Sequence, residues 1–295
     1  MAFSGVFPTA PAWSEPATPD FEAVNVAPPK PKPKSQPKPK PKATAAQAAK
    51  PRAPKPPPPA PIQVDLELVM LVDVSASVDE QEFALQRLGY VNAFRDPELQ
   101  ALIESRDGVA VNLVQWSGPR QQRGTGWMIL YTAADCERFA RRVTRFERRF
   151  AQDTVLAAAL NTAQAIMRRN HQNGARIEGK RLIIDVSGDG VCENQYFYQT
   201  GVGGTYNDGT PMDAKYYRRS WDSVQKQLDK HDIIVNGISI GDKPGLKEWY
   251  ASEVPNGEYG FSMHADTFEA FGAAIKKKLL RELAIPTTEI DTAYD

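Results

Sequence analysis

From residue 64 onward, apolar residues recur either at every second position or at every third to fourth, and the two patterns alternate. Residues 64–73, VDLELVMLVD, end in an apolar run rich in β-formers and read as a buried strand. A helix is predicted over 79–94, with Phe83, Leu88, Val91 and Phe94 near one face and Ser77 and Glu80 as its capping box. Residues 108–116 alternate Val109, Val111 and Leu113 as a second strand, and 127–132 is a short third that pairs with it as a hairpin. Residues 135–150 read as an amphipathic helix with Phe139, Val143, Phe146 and Phe150 inward. Another helix is predicted over 154–169, ending in Arg168 and Arg169, which suit a helix C-terminus. Residues 181–187, RLIIDVS, form a central strand, and after a long loop come a helix over 213–230 and a strand over 232–240. A short helix at 245–251, a strand at 259–264 and a last helix at 266–283 complete the series. This order predicts an α/β fold: a doubly wound, mostly parallel six-stranded sheet flanked by helices.

Upstream of residue 63 neither period appears. Residues 28–61 read PPKPKPKSQPKPKPKATAAQAAKPRAPKPPPPAP. Proline fixes φ and lacks an N–H, so this stretch forms neither helix nor sheet. It is expected to be a polyproline spacer, about 3.1 Å per residue and roughly 100 Å when extended. Residues 1–27 carry Phe3, Phe7, Trp13 and Phe21 in a polar context and read as plain disorder, the alternative being an anchor peptide that orders on a partner. The expected organisation is a disordered Pro/Lys-rich arm over 1–62, a folded domain over 63–285 and a tail over 286–295. The formal net charge of zero conceals this split, because residues 1–62 hold nine cations against three anions. A cationic arm therefore precedes an acidic body, and a uniformly basic nucleic-acid binder is excluded.

Two cysteines, Cys136 and Cys192, imply no disulfide scaffold and leave one bridge or two free thiols open. No apolar run reaches the ~18–20 residues needed to span a bilayer. The N-terminus lacks the basic start and apolar core of a secretory signal, which favours the cytoplasm, with display on a particle or non-classical export as the alternative. Arg138, Arg142, Arg145 and Arg149 fall on one helical stripe, with Arg141 and Arg148 beside it. They read as a solvated face with local pairs such as Glu137–Arg141, the alternative being a patch for phosphate or an acidic partner.

Three strand ends carry candidate chemistry. The first strand runs into Asp73-Val74-Ser75-Ala76-Ser77, the fourth into Ser187-Gly188-Asp189-Gly190, and Asp153-Thr154 opens a helix between them. In a doubly wound sheet, ligand sites form beyond the carboxyl ends of the strands at the topological switch point. Asp73, Ser75, Ser77, Thr154 and Asp189 would converge there, all offering oxygen. That donor set suits a hard cation, Mg²⁺ first, with Mn²⁺ or Ca²⁺ as alternatives. An open octahedral position would accept an external carboxylate. The three histidines lie on three elements, neither Ser75 nor Ser187 sits in a G-x-S-x-G elbow, and no G-x-G-x-x-G or P-loop occurs.

The constellation Asp73, Ser75, Ser77, Thr154, Asp189 resembles the von Willebrand factor A (VWA) domain and its metal-ion-dependent adhesion site, in the family's order along the chain. The resemblance spans residues 63–285, and the stretches LVDVSASVDEQEFALQRLGYVNAF, VQWSG, LIIDVSGDG and IIVNGISIG are similar to a bacterial VWA-like family. It implies a Rossmann-like fold and serines that bind metal directly. The threonine and the aspartates would bind directly or through water. It also implies a protein-binding, adhesion-type role without catalysis. Two departures stand out: Asp153 replaces the glycine that often precedes the threonine, and Asp189 is followed by a long loop containing Glu193. Either carboxylate could serve the metal from within. Tyr196, Phe197, Tyr198 and Tyr206 of that loop are expected to border the metal face and contact a partner. The expectation is a non-enzymatic, divalent-cation-dependent protein-binding module. Its metal shell is completed by a partner's Asp or Glu, with no nucleic acid and no membrane span; the arm reads as a solubilising spacer, the alternative being a docking segment for a second partner. The alternatives are a metal-dependent phosphoester hydrolase and a structural component docked through the arm.

Overall fold

The computed structural model describes residues 59–191 and 214–285, with backbone alone over 214–220. Strand β1 (Ile62–Asp73) is buried on both faces, and its side chains alternate between two helical layers. Leu66, Leu68, Met70 and Val72 pack against α1 (Glu80–Arg95), α2 (Pro97–Glu104), α3 (Ala133–Thr144) and α7 (Phe268–Ala284). Val69 and Leu71 face α4 (Leu156–Arg168), α5 (Ala214–Lys230) and α6 (Leu246–Glu253). The remaining strands are β2 (Val109–Trp116), β3 (Gln122–Gly124), β4 (Met128–Leu130), β5 (His171–Gln172), β6 (Ala175–Gly188), β7 (Ile233–Ile240) and β8 (Ser262–Ala265).

The sheet order is β3-β2-β1-β6-β7-β8, with β4 also on β2 and β5 on β6. The pairs β2-β1, β1-β6, β6-β7 and β7-β8 are parallel, whereas β3, β4 and β5 are antiparallel additions. This is the doubly wound, Rossmann-like VWA fold. From β1 the chain winds outward to β2 and then crosses to β6 on the other side, so the switch point lies between the carboxyl ends of β1 and β6. Among the described residues the six expected strands are joined by β3 and β5, each of three residues or fewer and too short to show a period.

Several element ends differ from the sequence expectation, each for a bonding reason. The N-cap of α1 is Asp79, which accepts the Glu82 N–H while the Glu82 carboxylate accepts the Asp79 N–H, both at 2.8 Å. Ser77 is thereby freed from capping. Leu88, expected inward, is exposed at 51%. Helix α3 stops at Thr144, not 150, although Phe146 stays buried and Phe150 packs against the core. The buried Gln115 replaces the helical bonds: its amide donates to the Glu147 carbonyl at 2.7 Å and its oxygen accepts the Arg149 N–H at 3.1 Å. Helix α2 was not anticipated; Asp96 caps it and Pro97 occupies its first turn. Helices α1 and α7 touch closely, since a Cβ on Gly89 would stand 2.9 Å from Phe271.

Beneath α7 lies a buried charged group. The Lys278 ammonium contacts Asp185 of β6 and donates to Glu282 at 2.6 Å, and Asn236 of β7 donates to the same Glu282 oxygen at 2.6 Å. Burial pulls the Lys278 ammonium down to about 8. Cys136 is a buried free thiol. No helix among the described residues is long and apolar enough to cross a membrane.

Candidate metal centre

Asp73 is the last residue of β1, and Asp189 follows Gly188 at the end of the neighbouring β6. The parallel register β1-β6 brings the two carboxylates to one sheet edge. The Ser75 N–H donates to Asp73 Oδ1 at 2.7 Å, folding the loop back on the strand end. The Ser75 and Ser77 hydroxyls stand 3.2 Å apart, and Ser77 donates to Asp189 Oδ1 at 2.7 Å. Four of the five sequence-predicted residues thus form one hydrogen-bonded cluster. Thr154 joins through Gly190, where a Cβ would meet Thr154 Oγ1 at 3.4 Å. Asp153 is buried beside it, and its carbonyl accepts the Ser117 hydroxyl at 3.1 Å. Glu193, Tyr196, Phe197, Tyr198 and Tyr206 lie outside the described residues, as do the arm up to residue 58, Cys192 and the tail.

Asp73 is fully buried, and its Oδ2 has no hydrogen-bond partner. Burial first, and the Asp189 carboxylate second, push its carboxyl up to about 7, against the Ser75 bonds and the Lys243 charge. A buried carboxylate oxygen without a donor is costly unless a cation meets it. The neighbouring strand end passes close to this oxygen. A Cβ on Gly188 would stand 2.7 Å from Asp73 Oδ2 and 2.6 Å from Tyr250 Oη, so only glycine permits this approach. Among the described residues no three His, Cys, Asp or Glu side chains gather as a metal-binding group, so the donors here are two carboxylates and three hydroxyls. That all-oxygen set fits a hard divalent cation.

Residues not singled out in the sequence hold this loop in place. Arg148, only 11% exposed along its side chain, donates to the Ser75 carbonyl at 3.0 Å and the Val74 carbonyl at 3.4 Å, and also bonds the Val78 carbonyl. The Ala76 N–H donates to the Gln152 carbonyl at 2.7 Å, while Ser117 accepts the Gln152 N–H at 2.9 Å. Arg148, beside the arginine stripe in the sequence, is therefore not part of a solvated face; it ties down the D-x-S-x-S turn. Lys243 lies just beyond β7, and its ammonium donates to Asp189 Oδ2 at 2.8 Å with half of its side chain exposed. A cleft of about 280 Å³ alongside is lined by Asp189, Lys243, Glu82, Asp242, Asp266 and Glu269. The strand-end rule also points to the GDK after β7, but only the β6-β7 pairing shows that its Lys243 reaches Asp189.

Residues 63–202 and 207–287 match the family described as Protein of unknown function (DUF1194). The chain belongs to the DUF1194 family. The sheet order and the D-x-S-x-S turn at its switch point agree with the fold that the resemblance to VWA domains implied. No curated protein matches this DUF1194 chain. Among solved structures it is similar to the pilus adhesin SpaC from Lactobacillus rhamnosus GG, at 14% identity and a TM-score of 0.49, covering 74% of this chain and 30% of that one. It is also similar to the vWF domain of the type V pili tip protein Mfa5 from Porphyromonas gingivalis, at 10% identity and a TM-score of 0.43, over 76% and 97% of the two chains. A third is the mussel byssus proximal thread matrix protein 1 with a zinc-occupied MIDAS motif, at 14% identity and a TM-score of 0.46, over 76% and 49%. The chain thus spans less than a third of the adhesin and about half of the byssus protein.

Proposed function

We propose that this DUF1194 domain is a non-catalytic, divalent-cation-dependent protein-binding module of adhesion type. The observation that carries the reading is the buried Asp73 carboxylate, one oxygen of which has no hydrogen-bond partner, with Ser75, Ser77 and Asp189 bonded around it. Asp73, Ser75, Ser77, Thr154 and Asp189 would hold the ion, with Mg²⁺ the first choice for oxygen donors. When bound, the cation supplies an electrophilic position that a carboxylate of a protein partner can fill. The chain's own residues set the rest. Arg148 and Gln152 fix the loop, Gly188 lets β6 pack closely against Asp73, and Ser77 aligns Asp189.

Isothermal titration with Mg²⁺, Mn²⁺ and Ca²⁺ tests the ion, and capture of partner proteins with and without EDTA tests the role. The expected result is metal binding and EDTA-sensitive capture, both lost in Asp73→Ala with the fold retained by circular dichroism. Capture that persists in EDTA would overturn the reading.

A further inference from the structure

The arginine stripe on α3 does not face open solvent alone. With the edge strand β3 and β4 it walls a groove of about 720 Å³, lined by Arg123, Arg138, Arg141, Arg142 and Arg145 and floored in part by Phe146. No carboxylate lines it. Arg138 pairs with Asp135 and Arg141 with Glu137, the latter shared with Arg95. Arg123, Arg142 and Arg145 have no carboxylate partner among the described residues. Arg123 is held over the Phe146 ring at 5.7 Å, and Arg142 donates to the Thr125 carbonyl at 3.4 Å, so both are partly ordered in advance. Gathering three guanidinium groups without a carboxylate partner on one surface, beside two that are paired, is unfavourable unless an anion relieves it.

We propose that this groove binds an acidic polypeptide segment in extended conformation. Guanidinium groups pair bidentately with carboxylates. The edge strand argues for a polypeptide. β3 begins the strand order, so the outer edge of Gln122–Gly124 pairs with no other strand among the described residues and offers backbone bonds to an added strand. A phosphodiester chain can accept from those N–H groups but lacks the alternating donors and acceptors needed to extend the ladder. The position favours a protein partner as well. Gln122 pairs with Trp116, and Trp116 with Asp73, which places the groove about two strand spacings, roughly 10 Å, from the metal-side end of β1. The groove binds independently of the metal.

The test uses the full chain in EDTA and low salt, with fluorescence anisotropy of a labelled peptide of alternating Glu and Val. The double variant Arg142→Glu/Arg145→Glu alters two exposed side chains and keeps the fold. Arg168→Glu/Arg169→Glu makes the same charge change at the C-terminal end of α4, outside the groove lining. The lysines of the arm are common to all forms and cancel in the comparison. The groove variant is expected to bind about tenfold more weakly, and the α4 variant within about twofold of the parent. A Glu-Pro peptide of equal charge, which offers the edge strand too few N–H donors, is expected to bind more weakly than Glu-Val. Equal losses in both variants, or no loss in the groove variant, would overturn the site. Tighter binding of a charge-matched single-stranded oligonucleotide would overturn the polypeptide, and equal binding of Glu-Pro would overturn the extended docking.

Discussion

Asp73→Asn should make the metal-free protein more stable. The parent carboxyl is fully buried with one oxygen unpartnered and is pushed up to about 7 from an ordinary 3.8. A group whose folded value is raised contributes stability that is present below its unfolded value and is lost as pH rises through the folded one. At pH 7.5 without metal, nearly the whole difference, about 4 kcal/mol, weighs against the folded parent. Asparagine cannot ionise, and its oxygen can still accept the Ser75 N–H that Asp73 accepts at 2.7 Å. Burial of the new amide takes back part of the gain, leaving about 2–4 kcal/mol, which for a domain of this size is roughly 5–15 °C in Tm. The assay is thermal unfolding of both proteins in EDTA and in saturating Mg²⁺, at pH 5 and pH 7.5. In EDTA at pH 7.5 the variant should melt higher, and at pH 5 its advantage should shrink to less than half. In Mg²⁺ only the parent should gain stability, by mass action. Equal melting in EDTA at pH 7.5, or the same advantage at both pH values, would refute the view of Asp73 as an uncompensated buried carboxylate. A gain with Mg²⁺ in the variant would refute its place in the site.

Lys243→Met removes the ammonium that competes for Asp189 Oδ2, so Mg²⁺ affinity by titration calorimetry should rise by about two- to fivefold, a small effect because the pair is half exposed. Arg148→Ala takes the guanidinium from the Val74, Ser75 and Val78 carbonyls; chemical denaturation should show a loss of about 2–3 kcal/mol, and calorimetry a weaker metal site. Ser77→Ala should abolish metal binding with little loss of helix α1, whereas Asp79→Ala should cost about 1 kcal/mol of stability and leave the metal affinity unchanged. Lys278→Ala leaves Asp185 and Glu282 buried without their cation, and urea unfolding should report a loss of about 3–5 kcal/mol.

The parts of this molecule that were legible in its sequence are those written in short-range patterns. The continuous apolar run of β1, the alternation of β2 and the D-x-S-x-S turn need only neighbouring residues to be read, and the strand-end rule then brings Asp189 to the same edge. What escaped was decided by bonds between distant positions. Ser77 and Asp79 are both plausible helix caps by spacing; the choice falls to Asp79 because Ser77 is drawn to Asp189, 112 residues away. The phenylalanine period past Thr144 continues in the sequence because an irregular loop can bury Phe146 as well as a helix can, and Gln115 on β2 supplies the bonds that end the helix. Arg148 and Arg142 look alike on a helical wheel, yet one ties down the D-x-S-x-S turn and the other bonds only a loop carbonyl beside the edge strand. Lys243 has the same history: in the sequence it is an ordinary loop lysine, and it becomes a cation on a proposed metal ligand only when the β6-β7 register places two strand ends side by side. The oxygen donors were therefore readable one strand end at a time. The cations that hold, compete with or flank them were readable only once the sheet order was known, and the same order sets an arginine groove two strands from Asp73.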